Sequence, residues 1–593
     1  MTHQWLVGLG LGLTAIIAPG IASAASVQAH IPADSVLYNG ITAEFDKAGL
    51  AAAYGAAAPM SSLTEGDRDP AEATQEGGPG AGMFAALAAD YNASWAEDDQ
   101  PLARFGVAAD GEYALYTVGA LPVIRVAVED AKAFRSRLQA AQEAAAIEPE
   151  RTRSAGIQTR RYPFGMDEDE GNLELVVTVH DGHGVITLAG DGIPDDALAI
   201  ALGAEEPATS LAERKRPSNL TERHGFVEGS VGYIDHEAII AGLTNAEANR
   251  FGRMIRPLME AWGEGDSLPF AAMRNEACHN EATEWAATWP YSSSGYTDVD
   301  ADADRVQTRN LVRVHSEFVR NQLANLRGRI PTVTEAQPLM EFGLGLRIQE
   351  VIPTLRQLAE RFKQVERDCG LLRKAQKTVH EQSIGQLEIV SRTLGDTRGM
   401  TATLVDVKET PGGRADSSDQ STVTPQGVIE IATSDPAGLW RLVASGLGLG
   451  NQAPRPKPGG EPVSFEAGMG LDADWQAAIR NNSLVMLVGG APLPDMAGET
   501  GLQPNGVLRL RENVARLAEI AGREDGMLPD RVAEQGMLGL TESLNAYLDT
   551  RLDVTKRGIA FDVTLTPAPS GNAEEFPRVS ASPGVAVARR PSQ

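Results

Sequence analysis

Cysteine is nearly absent from this chain of 593 residues, which has only Cys278 and Cys369. They lack Cys-x-x-Cys spacing and both lie in acidic surroundings, which raises a thiol pKa and argues against a redox or nucleophilic cysteine. Positive charge is scarce too: 52 Lys+Arg against 80 Asp+Glu leave a net charge of −28, with an isoelectric point of about 4.8. Nucleic acid is therefore excluded as a main partner, because phosphate binding needs a basic face. Docking on an anionic membrane surface is disfavoured for the same reason. No stretch reaches the roughly 18 to 20 uncharged apolar residues of an integral membrane span. His-Glu-x-x-His, Gly-x-Ser-x-Gly and Walker sequences are all missing, so no cofactor is implied. What remains is 42% apolar residues at a mean hydropathy of −0.20, the composition of a soluble globular protein with core for roughly three or four domains.

The N-terminus predicts export. Trp5 to Ile17 is a short apolar run, and Pro19-Gly20 and Ala22-Ser23-Ala24 follow as a small-x-small cleavage pattern. Cleavage is expected between Ala24 and Ala25, releasing the mature chain into the periplasm or the medium. No cysteine precedes Cys278, which excludes a lipid anchor at the cleavage site. In an oxidising space two cysteines invite pairing. Cys369 continues an apolar stripe of Leu355, Leu358, Phe362 and Val365, while Cys278 shares a helical face with Ala282, Trp285 and Trp289. Both thiols are expected to point inward, and a Cys278–Cys369 disulfide would close a loop of about 90 residues, a constraint of up to roughly 4 to 5 kcal/mol.

One unit recurs along the chain: a short apolar strand, a polar cap, then an amphipathic helix. It occurs at Leu121–Val128 with Asp130, at Val428–Ala432 with Asp435 and Pro436, and again at Val231–Asp235, Phe342–Ile348 and Val507–Leu510. Hairpin-like strand pairs precede most units: Leu173–His180 with Val185–Ala189 around Asp181-Gly182, Ser294–Thr297 with Val306–His315, and Val463–Phe465 with Leu484–Val488. Strand, strand, strand, helix is not βαβ alternation. It predicts an α+β fold of twisted, mainly antiparallel sheets with helices on one face. The matching units at 121 and 428 predict two divergent duplicated halves with a seam between 250 and 395. The expected segments are a signal peptide (1–24), a first α+β half (25–265), a helix/strand segment carrying both cysteines (266–390), a second half (391–566) and a disordered tail (567–593). Residues 55–82, 409–426 and 449–463 read as loops.

Candidate chemistry is sparse. Asp298, Asp300, Asp302 and Asp304 alternate like calcium ligands, but counting from Asp298 the sixth position is Ala303 and the twelfth Arg309, where an EF-hand needs Gly and Glu. A solvated turn is expected there, and Asp167–Glu170 reads as another acidic loop. His180 and His183 flank a turn, and His236 and His279 sit on predicted helices without metal spacing. Gly229-Ser-Val-Gly232 lacks the geometry of a nucleophile elbow. Gly446-Leu-Gly-Leu-Gly450 precedes a Pro-rich loop and cannot cradle phosphate. Helical spacing assigns Trp285 and Trp289 to the core.

Several segments resemble those of a family of uncharacterised exported bacterial envelope proteins, a domain of unknown function found in proteobacteria. Ile31-Pro-Ala-Asp-Ser-Val-Leu-Tyr38 resembles the family's opening, and Ser210-Leu-Ala-Glu213 leading to Gly232-Tyr-Ile-Asp235 is similar to a second motif. Gly119–Arg125, the cysteine pair and Ser434–Trp440 look like features of its proteobacterial subset. The resemblance implies an exported protein and supplies no catalytic residues. The expectation is a soluble periplasmic protein without enzymatic activity that binds a protein, peptide or lipid of the envelope. Two alternatives stand beside it: a hydrolase-like cleft enzyme whose acid and base come from distant strands, revealed by a close pair of carboxylates with raised pKa, and a scaffold without ligand, revealed by a surface free of large apolar patches.

Overall fold

The computed structural model describes residues 26–43, 45, 50, 69–97, 103–107, 111–165, 172–261, 273–331, 338–381, 391, 394–410, 422–450, 453–466, 474–493, 502–521 and 546–568. The expected signal peptide with Ala24 and Ala25, the acidic loop Asp167–Glu170 and nearly all of the expected tail lie outside these residues.

Among the described residues nineteen strands form one sheet. The first ten are β1 (Leu37–Ile41), β2 (Tyr113–Val118), β3 (Leu121–Ala127), β4 (Glu150–Ser154), β5 (Ile157–Pro163), β6 (Leu173–His180), β7 (His183–Gly190), β8 (Ser230–Asp235), β9 (Tyr291–Asp300) and β10 (Arg305–Arg313). The rest are β11 (Met340–Leu344), β12 (Thr397–Thr410), β13 (Thr422–Thr433), β14 (Val463–Phe465), β15 (Trp475–Arg480), β16 (Ser483–Val488), β17 (Leu508–Asn513), β18 (Ala546–Thr555) and β19 (Gly558–Pro567). Thirteen α-helices among the described residues accompany them. α1 (Pro70–Glu97), α2 (Ala131–Ala144), α3 (Asp195–Leu202), α4 (Leu211–Arg214), α5 (Arg216–His224), α6 (His236–Thr244), α7 (Arg250–Ala261) and α8 (Glu276–Ala286) precede or lie among the first ten strands. α9 (Glu317–Leu326), α10 (Ile348–Lys363), α11 (Gly370–Glu381), α12 (Pro436–Gly446) and α13 (Val514–Ala521) follow.

Every strand pairing is antiparallel, so the fold is α+β with a large antiparallel sheet. Beyond the edge strand β4, the order from that edge to the middle is β5-β6-β7-β3-β2-β1-β8-β9-β10. From the other edge it is β14-β15-β16-β13-β12-β11-β17-β18-β19. The two series run through the chain in the same sequence of connections, and they join where β10 pairs with β19.

Local chemistry fixes the ends of the elements. Asp130 Oδ1 accepts from the N–H groups of Lys132 and Ala133 at the start of α2, and Asp435 Oδ1 accepts from Gly438 N at the start of α12, where Pro436 takes the first helical position. Asp235 and Asn513 cap α6 and α13 in the same way, each three residues ahead of the N–H it receives. Asp181 and Gly182 turn β6 into β7 with φ of 49° and 75°, the left-handed backbone that a two-residue hairpin turn demands.

Several expectations change. Helices cover both faces of the first series rather than one. Arg125 on β3 reaches the Ala201 carbonyl of α3 (2.9 Å) on one side, whereas α2 packs from the other, with Phe134 against Gly184 so closely that a side chain there would collide. β14 pairs with β15 rather than directly with β16. The span expected to be a loop at 55–82 yields to α1 from Pro70 onward, and β12 and β13 extend into the expected 409–426 loop. β9 to β11 belong to the common sheet, so the segment 266–390 contributes strands to both series. Most of the core surrounds the first series, while the second holds smaller apolar clusters.

Candidate binding face

Strand register sorts side chains onto two faces. One carries Tyr38, Tyr116, Arg125 and Tyr233 in the first series and Glu341, Thr403, Glu430 and Arg511 in the second, all buried. In the second series this is the reverse of normal amphipathic alternation, as β11 makes plain. Glu341 is 0% exposed, whereas its neighbours Met340 and Phe342, on the opposite face, are 39% and 40% exposed. Exposed large apolar groups and buried charged ones are the informative departures from ordinary burial.

The open face can be followed strand by strand. Phe342 lies opposite Leu510, then Thr550, Val563 and Thr308. The next row runs Leu344, Leu508, Leu552, Phe561 and Asn310, with Phe561 exposed. A third row runs Met340, Glu512, Leu548, Leu565 and Val306, but Leu565 (8% exposed) and Val306 (2%) are buried in the main core, so the opening stops short of its far end; Glu512 is the one ionisable group in the three rows, and burial pushes its carboxyl up toward the neutral form. Across the join, Ile234 on β8 is also exposed on this face.

Beneath it the polar face carries paired charges, buried at Glu341 and Arg511 and reaching solvent at Arg551. Arg511 donates from Nε to Glu341 Oε1 (2.8 Å) and from Nη2 to Glu341 Oε2, and Thr403 Oγ1 donates to the same carboxylate (3.5 Å). Arg509 and Arg551 both donate to Asp549, at 2.7 and 2.8 Å to Oδ2. Burial works to raise the Asp549 carboxyl, but these hydrogen bonds outweigh it and hold it at about 2. Burial pushes the neighbouring Tyr547 hydroxyl up to about 12. At the join, Arg309 grips Asp562 with two hydrogen bonds of 2.6 and 2.8 Å.

The residues singled out from sequence do not converge on this face. Asp298 and Asp300 accept from Arg305 (2.8 and 3.5 Å) beside the turn between β9 and β10. Among the described residues no group of three or more His, Cys, Asp or Glu could hold a metal ion. His183 is buried against the His30 ring (centroids 5.0 Å apart), and burial, with Arg125 nearby, pushes it down to about 4. His279 Nδ1 hydrogen-bonds the Thr244 hydroxyl (2.9 Å). Ser230, inside Gly229–Gly232, donates to the Val227 carbonyl (2.9 Å) as β8 begins. Gly446 ends α12.

Cys278 and Cys369 are fully buried with their sulfur atoms 2.12 Å apart, at bonding distance. Cys369 does not continue the helix of Leu355. α10 stops at Lys363, and Cys369 stands immediately before α11. Trp285 is not core either: it is 44% exposed, its ring set against Trp289 and Phe362.

Sequence reasoning missed two features. The apolar side chains of β11 read as core because their alternation is the same whichever face is buried. The contact of His236 Nε2 with Ser292 Oγ (3.1 Å) joins residues 56 positions apart that belong to no motif. Compared with family models, curated proteins and solved structures, the chain matches none.

Proposed function

We propose that the protein binds an apolar, acyl-chain type of ligand on the open face of its sheet. The observation that carries this reading is the exposure of Met340, Phe342, Phe561 and Ile234 on one face while Glu341 and Arg511 are buried behind it. The first two rows offer Leu, Phe, Val, Thr and Asn and no ionisable group. An extended peptide is the poorer fit, since peptides gain affinity from main-chain hydrogen bonds at a sheet edge and here the backbone groups are spent inside the sheet. The apolar N-terminal run, the Ala22-Ser23-Ala24 pattern and the cysteine pair support an exported, envelope location for this binder.

An internal duplication belongs to the same reading, with its seam between Val314 and Leu339. The shared strand order supports it, as do the matching caps Asp130 with Asp435 and Asp235 with Asn513. In this alignment Arg309 and Asp562 are counterparts that pair with each other, so a pseudo-two-fold axis passes between them.

Titration of the full chain with a fluorescent long-chain fatty acid tests the binding. Saturable binding is expected, weakened roughly tenfold or more by Phe342→Asp, because a buried Phe contributes about 1.5 to 3 kcal/mol. A folded chain that shows no saturable binding would overturn the reading and turn attention to a protein partner on this face.

A further inference from the structure

We propose that Ser292 is a nucleophile toward acyl esters and His236 its general base; the acyl part of this inference rests on the reading of the open face given above. His236 Nδ1 lies 3.0 Å from the Trp289 carbonyl oxygen, which can only accept, so Nδ1 carries the proton. Nε2 then presents its lone pair to Ser292 Oγ at 3.1 Å, and the hydroxyl donates to it. Nucleophile, base and a third group orienting the base is the pattern of an activated hydroxyl.

Ser292 lies opposite exposed Ile234 on β8 and opposite Val312 on β10, and Val312 lies opposite Ile559, two residues from Phe561. An apolar track thus leads from the hydroxyl to the middle of the open face, and both Ser292 and His236 are only half-buried.

The other half of the sheet builds the same corner differently. Tyr233 and Arg511 hold corresponding places opposite Tyr38 and Glu341, and their neighbours on the next strand are Ser293 and Asp549. The counterpart of Ser292 is therefore Leu548. The residue after the Asn513 cap, in the place of His236, is Val514, which is buried. The same corner is built there from Val and Leu, so the fold does not require a hydrogen-bonded Ser–His pair.

In the reaction, Ser292 Oγ bonds to the ester carbonyl carbon as its proton passes to His236 Nε2. The C–O bond to the alcohol then breaks as Nε2 returns that proton to the leaving oxygen. Water, deprotonated by the same nitrogen, releases the acid and restores the hydroxyl, so ester and water become acid and alcohol. The first N–H groups of α6 are already engaged, Glu237 N with the Pro290 carbonyl and Ala238 N with Asp235, and so lend no oxyanion donor. One missing donor costs about 10²- to 10³-fold in turnover. Acyl capture with slow release is the expected behaviour.

The test treats the full chain with an ethyl and a dodecyl fluorophosphonate, read by intact mass and peptide mapping. We expect one adduct, at Ser292, lost in Ser292→Ala and formed at least about tenfold more slowly in His236→Gln at unchanged melting temperature, with the dodecyl probe reacting faster. No adduct at Ser292 of the folded wild-type chain would overturn the nucleophile. An adduct forming equally fast with both probes would uphold the nucleophile and overturn the acyl specificity. Because the fatty-acid titration measures binding without chemistry, failure of the open face and failure of the Ser–His pair are distinguishable.

Discussion

At corresponding points of the two strand series the chain buries opposite chemistries. Tyr38 and Tyr233 pack ring to ring in the first (5.7 Å between centroids), where Glu341 and Arg511 form an ion pair in the second. Arg125 lies two residues beyond the strand partner of Tyr116, and Glu430 two beyond that of Thr403, and each is 1% exposed. One frame therefore tolerates an aromatic or an ionic interior, provided that each buried polar group finds partners. The difference bears on the far side of the sheet. Where Glu341 and Arg511 take the inner face, Met340 and Phe342 on β11 and Phe561 on β19 are left facing outward.

The largest effect should come from breaking the ion pair. Glu341→Ala leaves Arg511 buried without its carboxylate and should cost about 3 to 5 kcal/mol in urea unfolding. Replacing both partners, Glu341→Leu with Arg511→Met, makes this interior resemble the first half and should recover most of the loss. A single-variant cost below about 1 kcal/mol would remove the contrast between the halves.

Acid should separate the halves next. Burial, helped by Arg125 for His183 and by Arg557 for His224, pushes both imidazoles down to about 4, against 6.5 for an ordinary histidine. The folded first half thus binds fewer protons than the unfolded chain between these values, and their contribution, fully present above pH 6.5, is lost as pH falls toward 4. Asp549, held at about 2 against an ordinary 3.8, contributes stability that is present above 3.8 and lost only as pH falls toward 2. Hydrogen exchange across a pH series should show β7 losing protection before β18. Simultaneous loss would contradict the distinction.

The smallest effect sharpens the symmetry. The Arg309–Asp562 pair is half-exposed, so Asp562→Asn should cost about 1 kcal/mol or less. The proposed duplication makes the two positions counterparts, and under it the exchange Arg309→Asp with Asp562→Arg should restore thermal stability to within roughly 0.5 kcal/mol of the parent. Failure of the exchange would argue against a pseudo-two-fold axis at this pair.

Much of the frame was legible in the amino-acid sequence because short-range chemistry carries it. Asp130, Asp435 with Pro436, and Asp181-Gly182 mark their boundaries by capping and turn preferences. β15 escaped notice because Ala477 and Ala478 have little strand preference, although both are fully buried between neighbouring strands. β12 escaped notice altogether, and the polar run after Lys408 obscured that β13 begins as early as Thr422, since a ladder of backbone hydrogen bonds can hold residues with no apolar alternation. The open face and the Ser292–His236 contact were illegible for another reason. Whether Phe342 faces solvent or core depends on what lies behind Glu341, and that partner, Arg511, is 170 residues away.

The pairing of β10 with β19 has a consequence for how the chain is made. Residues 253 positions apart meet there, and β19 is the last strand among the described residues. Until it emerges, β10 remains an unpaired edge, a template for pairing with another chain. A chain truncated before Gly558 should accordingly seek its missing neighbour in another molecule, and a slow arrival of the C-terminal strands during synthesis should favour exchange of strands between nascent copies.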